Sequence, residues 1–135
     1  MRFYLNFIKQ TSDDVLMSGS FEGYIKLWDL ESGACKRTIK AHLSLLTALE
    51  VLENGQVASC SYDRTVKVWD LESGVCSKMF EGHAHFINCL RALPNNQLAS
   101  GSADKTIKIW DLESGNYECK FLFWVILWTL NRKLF

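Results

Sequence analysis

The chain contains 135 residues, and its fifteen basic and fifteen acidic side chains leave no net charge. Because no long run of either sign is present, the composition argues against a surface that binds nucleic acid or an anionic membrane. Five cysteines without a C-x-x-C pair argue against a complete disulfide framework and favour a reducing compartment. The start, MRFYLNFIKQ, lacks the pattern of a secretory signal, so we expect an intracellular protein, with the cytoplasm as the first expectation and the nucleus as the alternative.

The stretch WDLESG occurs three times, at residues 28–33, 69–74 and 110–115, so that its tryptophan recurs every 41 residues. A fixed period in this range predicts a repeat architecture in which each unit buries its apolar face against a neighbour. We divide the chain into units of about residues 1–40, 41–81 and 82–121, followed by an apolar tail, residues 122–135, outside the repeat.

Within the units, short β-prone segments alternate with turns, and the second unit shows this pattern most completely. Its segments LLTALEV, QVASCS, TVKVWD and VCSKMF are separated by ENG, SYDR and LESG, which predicts an antiparallel meander of four strands. Apolar side chains of TVKVWD fall on both faces of the strand, so the sheet needs cover on both sides. Because no segment has a sustained helical apolar period, neighbouring sheets should supply that cover, as between the blades of a propeller.

Three recurring elements resemble the WD-repeat β-propeller family: A-H or G-H at the start of a unit, then S-x-S-x-D, then the W-D dipeptide. The resemblance implies an all-β fold, an incomplete β-propeller of about three four-stranded antiparallel blades. It also implies a hydrogen-bonded tetrad of histidine, serine, aspartate and tryptophan in each blade. The first unit keeps only the serine and the tryptophan, because Glu22 replaces the aspartate and Met1 falls at the histidine. The implied tetrad residues are Ser18 and Trp28; His42, Ser59, Asp63 and Trp69; and His83, Ser100, Asp104 and Trp110.

Catalysis and metal binding are the alternative interpretations of these polar residues. Histidine, serine and aspartate are also the residue types of a hydrolase triad, but the set occurs twice beside a tryptophan, which favours a structural role. His83 and His85 are candidate zinc ligands together with Cys89 or Cys76, although no second ligand pair has suitable spacing. No glycine-rich nucleotide-binding motif is present. We therefore predict no enzymatic activity, no metal site and no cofactor.

The resemblance implies that such a chain binds other proteins or peptides on the face near the central channel. The implied positions are the start of the innermost strand and the residue before the tetrad aspartate. Phe21 and Tyr62 are the strongest candidates, because aromatic residues on turns are typical hot spots, and edge packing between blades is the alternative. The complete set is Asn6, Ile8 and Phe21; Thr47, Leu49 and Tyr62; and Asn88, Leu90 and Ala103.

The tail follows Phe121 and reads LFWVILWTL and then NRKLF, where the repeat would have a G-H pair at residues 123 and 124. As a helix the ten residues 121–130 would span about 15 Å, half of the roughly 30 Å hydrocarbon core of a bilayer. We expect a strand covering the last blade, an aggregation-prone segment, or a segment foreign to the repeat. Three blades cannot close a ring, so the chain is a fragment of a larger propeller, self-associates, or is completed by a partner.

A non-catalytic interaction scaffold or adaptor is the leading functional hypothesis. A substrate receptor of a ubiquitin ligase is the alternative within the same class. A regulator tethered to a membrane by the tail, and a hydrolase, are the alternatives from other classes.

Overall fold

The computed structural model describes residues 5–12 and 14–121, which form short strands and tight turns. No helix within these two ranges has the length and apolarity needed to cross a bilayer. The expectations for Met1 and for the tail fall outside the described residues. The strands are β1 (Leu5–Ser12), β2 (Val15–Ser20), β3 (Tyr24–Asp29), β4 (Cys35–Lys40), β5 (Leu46–Val51), β6 (Val57–Ser61), β7 (Thr65–Trp69), β8 (Cys76–Glu81), β9 (Ile87–Leu93), β10 (Gln97–Ser102), β11 (Thr106–Asp111) and β12 (Tyr117–Phe121).

Each sequence unit forms one antiparallel meander whose strands pair in chain order. We call β1–β4 blade 1, β5–β8 blade 2 and β9–β12 blade 3. The first strands of neighbouring blades lie side by side, and the fourth strands form the outer edge. The prediction of an all-β chain with three four-stranded blades is confirmed, and the three sheets form an unclosed arc.

The repeated WDLESG closes the hairpin between the third and fourth strand of every blade. In blade 1, Oδ1 of Asp29 accepts hydrogen bonds from the backbone N–H groups of Glu31 and Ser32, at 2.9 and 2.8 Å. Gly33 has a positive φ of 73° and donates its N–H to the carbonyl of Asp29 at 2.8 Å. Glycine adopts this left-handed conformation without steric cost. The recurrence of the stretch therefore has a local cause, since an Asx turn and a left-handed residue build this hairpin three times.

Two apolar cores lie between the blades, one on each side of blade 2. Met17, Ile25 and Leu27 of blade 1 pack against Val57 and Trp69 of blade 2. On the opposite side, Val66, Val68 and Phe80 of blade 2 pack against Leu98 and Trp110 of blade 3. Because side chains alternate along a strand, β7 contributes to both cores. Burying a tryptophan of about 200 Å² contributes around 5 kcal/mol before entropy, so stacked blades stabilise each other.

A charged contact among the inner strands also joins all three blades. Lys9 of β1 donates to Oε1 of Glu50 in β5 at 2.7 Å. The other carboxylate oxygen of Glu50 accepts the backbone N–H of Ala92 in β9 at 3.1 Å. Only 12% of the Glu50 side chain is exposed, so each of its oxygens has a partner where water has little access.

Candidate functional site

The four implied tetrad residues of blade 2 form one continuous hydrogen-bonded chain. Nδ1 of His42 lies 2.9 Å from Oδ2 of Asp63, and Nε2 lies 2.7 Å from Oγ of Ser59. The indole Nε1 of Trp69 donates to the same Oγ at 2.8 Å. Because an indole only donates and a carboxylate only accepts, the serine hydroxyl donates to Nε2 and the histidine carries its proton on Nδ1. Every polar group in this buried chain has a partner.

Blade 3 repeats the same geometry one period later. Nδ1 of His83 lies 2.8 Å from Oδ2 of Asp104, and Nε2 lies 2.7 Å from Oγ of Ser100. Trp110 donates its indole N–H to that Oγ at 2.8 Å. Two sites with nearly identical distances in corresponding places of two sheets are expected of a structural element that fixes strand register.

The two tetrad carboxyls are held ionised by their hydrogen bonds. Burial by itself would raise the pKa of Asp63, but hydrogen bonds from His42 and Thr65 outweigh this effect and hold the pKa well below its usual range. The pKa of Asp104 is lowered in the same way, against the same opposing effect of burial. Burial also lowers the pKa of His83, although the neighbouring carboxylate opposes this shift. The histidine of blade 3 is therefore held neutral, as the hydrogen-bonded chain requires.

Blade 1 retains only half of this arrangement. Trp28 donates its indole N–H to Oγ of Ser18 at 2.9 Å. Glu22, at the position of the aspartate, has one buried carboxylate oxygen, Oε2, without a hydrogen-bond partner. The side chain of Glu22 is longer than that of aspartate by one methylene, and its carboxylate does not form the contacts seen in the other blades.

The distances among serine, histidine and aspartate are also those of a hydrolase triad, yet the surroundings differ. Ser59 and His42 are 0% and 1% exposed, and the serine oxygen already accepts the indole N–H. A nucleophile has to reach its substrate, and this hydroxyl is enclosed by the two packed blades. In the described part of the chain, no three histidine, cysteine or acidic side chains converge in a way that could hold a metal ion. His85 was considered above as a candidate zinc ligand, and its ring contacts that of Phe86 edge-on, with 4.4 Å between the ring centroids.

All five cysteines are free thiols. Burial raises the pKa of Cys60 to about 12, so this thiol stays protonated at neutral pH. The repeat-equivalent Cys35 and Cys76 lie exposed on the outer strands.

Two exposed aromatic residues, Tyr62 and Phe86, lie at one end of the sheets, where the loops before β5 and β9 meet the β6–β7 and β10–β11 turns. Backbone hydrogen bonds join these segments: Tyr62 N–H to the Leu45 carbonyl, and Ala103 N–H to the Phe86 carbonyl, both at 2.9 Å. The rings of Tyr62 and Phe86 stack across the boundary between blades 2 and 3, with centroids 4.1 Å apart and planes inclined by 7°. We call Tyr62, His85 and Phe86 the aromatic surface.

Several of the implied binding positions lie at or near this end with part of their surface exposed. Phe21 is 41% exposed and Tyr62 is 37% exposed, while Asn88 and Ala103 are also exposed. Thr47 is half-buried, and its hydroxyl donates to the carbonyl of Ile87 at 2.6 Å. This bond joins blade 2 to blade 3.

The assignment of Leu49 and Leu90 to a binding surface was wrong. They are 5% and 4% exposed and belong to the two cores between blades. Ile8 occupies the equivalent position of blade 1 and is 63% exposed, because no blade covers that face of the sheet among the described residues. Leu49 and Leu90 therefore point toward the preceding blade, and Ile8 lies on the corresponding face of blade 1. The side chain of Asn6 lies outside the described residues.

Sequence reasoning missed Phe86 and His85 of the aromatic surface and the neighbouring Leu43, which is 88% exposed. Each lies in the loop that connects the last strand of one blade to the first strand of the next. A signal was available, since Phe86 directly precedes β9 and an apolar residue, Leu45, holds the equivalent place before β5. In the sequence alone, however, an apolar residue just before a strand looks like the first residue of that strand.

Comparisons with known proteins agree with this geometry. The family model WD40, described as "WD domain, G-beta repeat", matches residues 33–70 and 74–111. Among curated proteins, F-box/WD repeat-containing protein 10 of Mus musculus is 40% identical over 42 residues, which are 31% of this chain and 4% of that protein.

Three solved structures share the fold. The WD40 β-propeller domain of Doa1 superposes with a TM-score of 0.81 at 29% identity, covering 87% of this chain and 40% of that one. The RRP9 WD40 repeats give a TM-score of 0.81 at 22% identity, with coverages of 90% and 40%. The structure of U3-55K gives 0.82 at 22% identity, with coverages of 92% and 41%. The chain thus spans about two-fifths of each of these solved chains.

Proposed function

Because the chain belongs to the WD40 family of WD-domain, G-beta repeat proteins, we propose that it is a non-catalytic scaffold that binds a partner protein or peptide through the aromatic surface. Such propellers are typical interaction scaffolds. The observation that carries the proposal is the stack of Tyr62 on Phe86, since both rings are more than a third exposed where two blades meet. Exposed aromatic rings with few ways to move are typical binding hot spots.

The charges beside the aromatic surface favour an acidic partner. Arg64 and Lys105 lie on the β6–β7 and β10–β11 turns, exposed and in left-handed conformations with φ of 71° and 68°. Neither forms an ion pair within the described residues. The nearby Asp63 and Asp104 direct their carboxylates to the tetrads. A segment with an aromatic, proline or aliphatic anchor next to acidic residues would match both the rings and the cations.

The proposal is tested with a double variant, Tyr62→Ala with Phe86→Ala, compared with Val75→Ala. Val75 is 59% exposed on the β7–β8 turn, at the opposite end of the sheet, and serves as a control for the loss of exposed apolar surface outside the aromatic surface. Proteins captured by the wild-type chain are identified, and the affinity of a purified partner is measured by calorimetry. We expect the double variant to weaken binding by about 30-fold or more, as for loss of a hot spot. Equal affinity for the double variant and Val75→Ala would contradict the proposal.

A ubiquitin-ligase substrate receptor is a narrower form of the same proposal, and the 42-residue similarity to F-box/WD repeat-containing protein 10 favours it. If it holds, the protein co-purifies with ubiquitin-ligase subunits from cells that express it, and a captured partner becomes more abundant when the protein is depleted. Partner abundance that does not respond to depletion would rule out this form and leave the broader scaffold proposal intact.

A further inference from the structure

The outer edge of the arc has two equivalent grooves, one at each boundary between blades, and they are filled differently. In the first groove Arg37 of β4 reaches across to blade 2. Its guanidinium donates to the carbonyls of Glu72 and Ser73, at 2.6 and 3.1 Å. The side chain lies so close to the turn that a Cβ added to Gly74 would be 2.8 Å from Nη1. This groove is occupied by the chain's own arginine.

The second groove has a lysine at the position of that arginine. Lys78 of β8 donates to the carbonyl of Leu112. The carbonyls equivalent to the two that Arg37 contacts belong to the next two residues of the turn. Those carbonyls, of Glu113 and Ser114, accept no hydrogen bond from the described residues. A Cβ added to Gly115 would meet nothing closer than Phe80, at 3.7 Å. A groove of about 480 Å³ therefore remains open beside the turn.

Aromatic side chains line this open groove. Phe80 and Trp110, which are 5% and 1% exposed, border it, and Tyr117 is 44% exposed with its ring 4.7 Å from that of Trp110. In the other two blades a cysteine occupies the place of Tyr117. An aromatic face at the wall of a groove suits a planar guanidinium, which stacks on rings while its edge donates hydrogen bonds.

The charges around the second groove favour a bound cation more than the charges around the first groove do. Glu81 and Glu113 line the groove, and neither carboxylate forms an ion pair within the described residues. In the first groove, the residue equivalent to Glu81 is a lysine, Lys40. The ammonium of Lys108 lies over the ring of Tyr117, 4.0 Å from the ring centroid. It therefore does not contact the carbonyls of Glu113 and Ser114.

We propose that this side groove, lined by Lys78, Phe80, Glu81, Trp110, Glu113 and Tyr117, binds an arginine side chain of a partner protein. The arginine donates to the carbonyls of Glu113 and Ser114, as Arg37 does to the equivalent carbonyls of blade 2. The site lies on the outer edge of the arc and does not depend on the aromatic surface.

The test is a titration of the full chain with N-acetyl-L-arginine amide, followed by two-dimensional NMR of backbone amides. We expect shifts at Ser114 and Gly115 that saturate with a dissociation constant on the order of 1 mM, as for a ligand of this size. Ser73 and Gly74 should not respond, because Arg37 already fills their groove. N-acetyl-L-lysine amide should bind about fivefold or more weakly, since an ammonium does not bridge two carbonyls in one plane.

Two variants make the test specific to the groove. Lys78→Arg should abolish the response at Gly115, because the new side chain occupies the groove as Arg37 does in its own. Arg37→Ala should create a new response at Gly74, because it empties the first groove. The proposal is overturned if Gly115 does not respond to arginine, if Lys78→Arg binds as the wild type does, or if Gly74 fails to respond in a folded Arg37→Ala chain.

Discussion

Replacing Ser59 with alanine removes the one atom that joins the indole to the imidazole in blade 2. Its Oγ accepts from Trp69 at 2.8 Å and lies 2.7 Å from Nε2 of His42. The serine is completely buried, so water cannot replace the hydroxyl without opening the interface between blades. Ser59→Ala therefore leaves an N–H donor and a ring nitrogen acceptor without partners, while it changes the volume of the core very little.

The expected cost follows from the number of orphaned groups. One buried donor or acceptor without a partner costs about 1–3 kcal/mol, so two cost about 2–6 kcal/mol. Ser18→Ala in blade 1 is the matched control, because Ser18 accepts only from Trp28, which is half-buried and has no histidine beside it among the described residues. Its expected cost is about 1 kcal/mol, since this substitution leaves one group without a partner instead of two and Trp28 is only half-buried.

Equilibrium unfolding in urea, followed by tryptophan fluorescence and by circular dichroism, measures the difference. With an m-value of about 2 kcal/mol/M, Ser59→Ala should lower the midpoint by about 1–3 M and Ser18→Ala by about 0.5 M. The two probes should agree if the three blades unfold together. Equal midpoints for the two variants would refute the reasoning, because the closed tetrad would then contribute no more than a lone serine–tryptophan bond.

Leu49→Ala should lower the free energy of unfolding by about 2–4 kcal/mol, whereas Ile8→Ala at the equivalent exposed position should change it by less than about 0.5 kcal/mol. Urea midpoints check this pair, and similar losses would contradict the burial described above. Gly23→Ala should cost at least about 2 kcal/mol more than Gly55→Ala, because both glycines have φ of 83° but only at Gly23 would a Cβ meet backbone, 2.3 Å from the His42 carbonyl oxygen. Thermal melts of the two variants compare the costs directly. The lowered pKa of Asp104 means that its contribution to stability is present above its unfolded pKa of about 3.9 and is lost as the pH falls toward its folded pKa. Asp104→Asn should flatten the acid limb of a stability–pH profile between about pH 4 and pH 2, and an unchanged limb would contradict this.

The repeat, its period and the strand pattern were available from the sequence because their causes are local. The aspartate and glycine of WDLESG build their hairpin with atoms at most five residues apart, so the same letters give the same turn three times. The alternation in TVKVWD showed that both faces of a blade are covered. Partners within a tetrad lie 10 to 21 residues apart. They followed from the resemblance to a known family, not from the spacing alone.

The binding surface was harder to predict, because it depends on which blade lies against which face. Ile8, Leu49 and Leu90 hold the same repeat position, yet the first is exposed and the other two are buried. The stack of Tyr62 on Phe86 joins residues of two different blades, and no pattern within one unit indicates it.

The sequence by itself determined that this chain folds as a series of four-stranded units, because the turns and the strand alternation are encoded within each 41-residue period. The tertiary structure decided which of these equivalent residues reach solvent and which grooves stay open. Arg37 and Lys78 show the reason. These two residues hold equivalent positions in blades 1 and 2, and each donates to a different carbonyl of the next blade. Which carbonyl each side chain reaches depends on the distance between neighbouring blades, and only the packing of the sheets sets that distance.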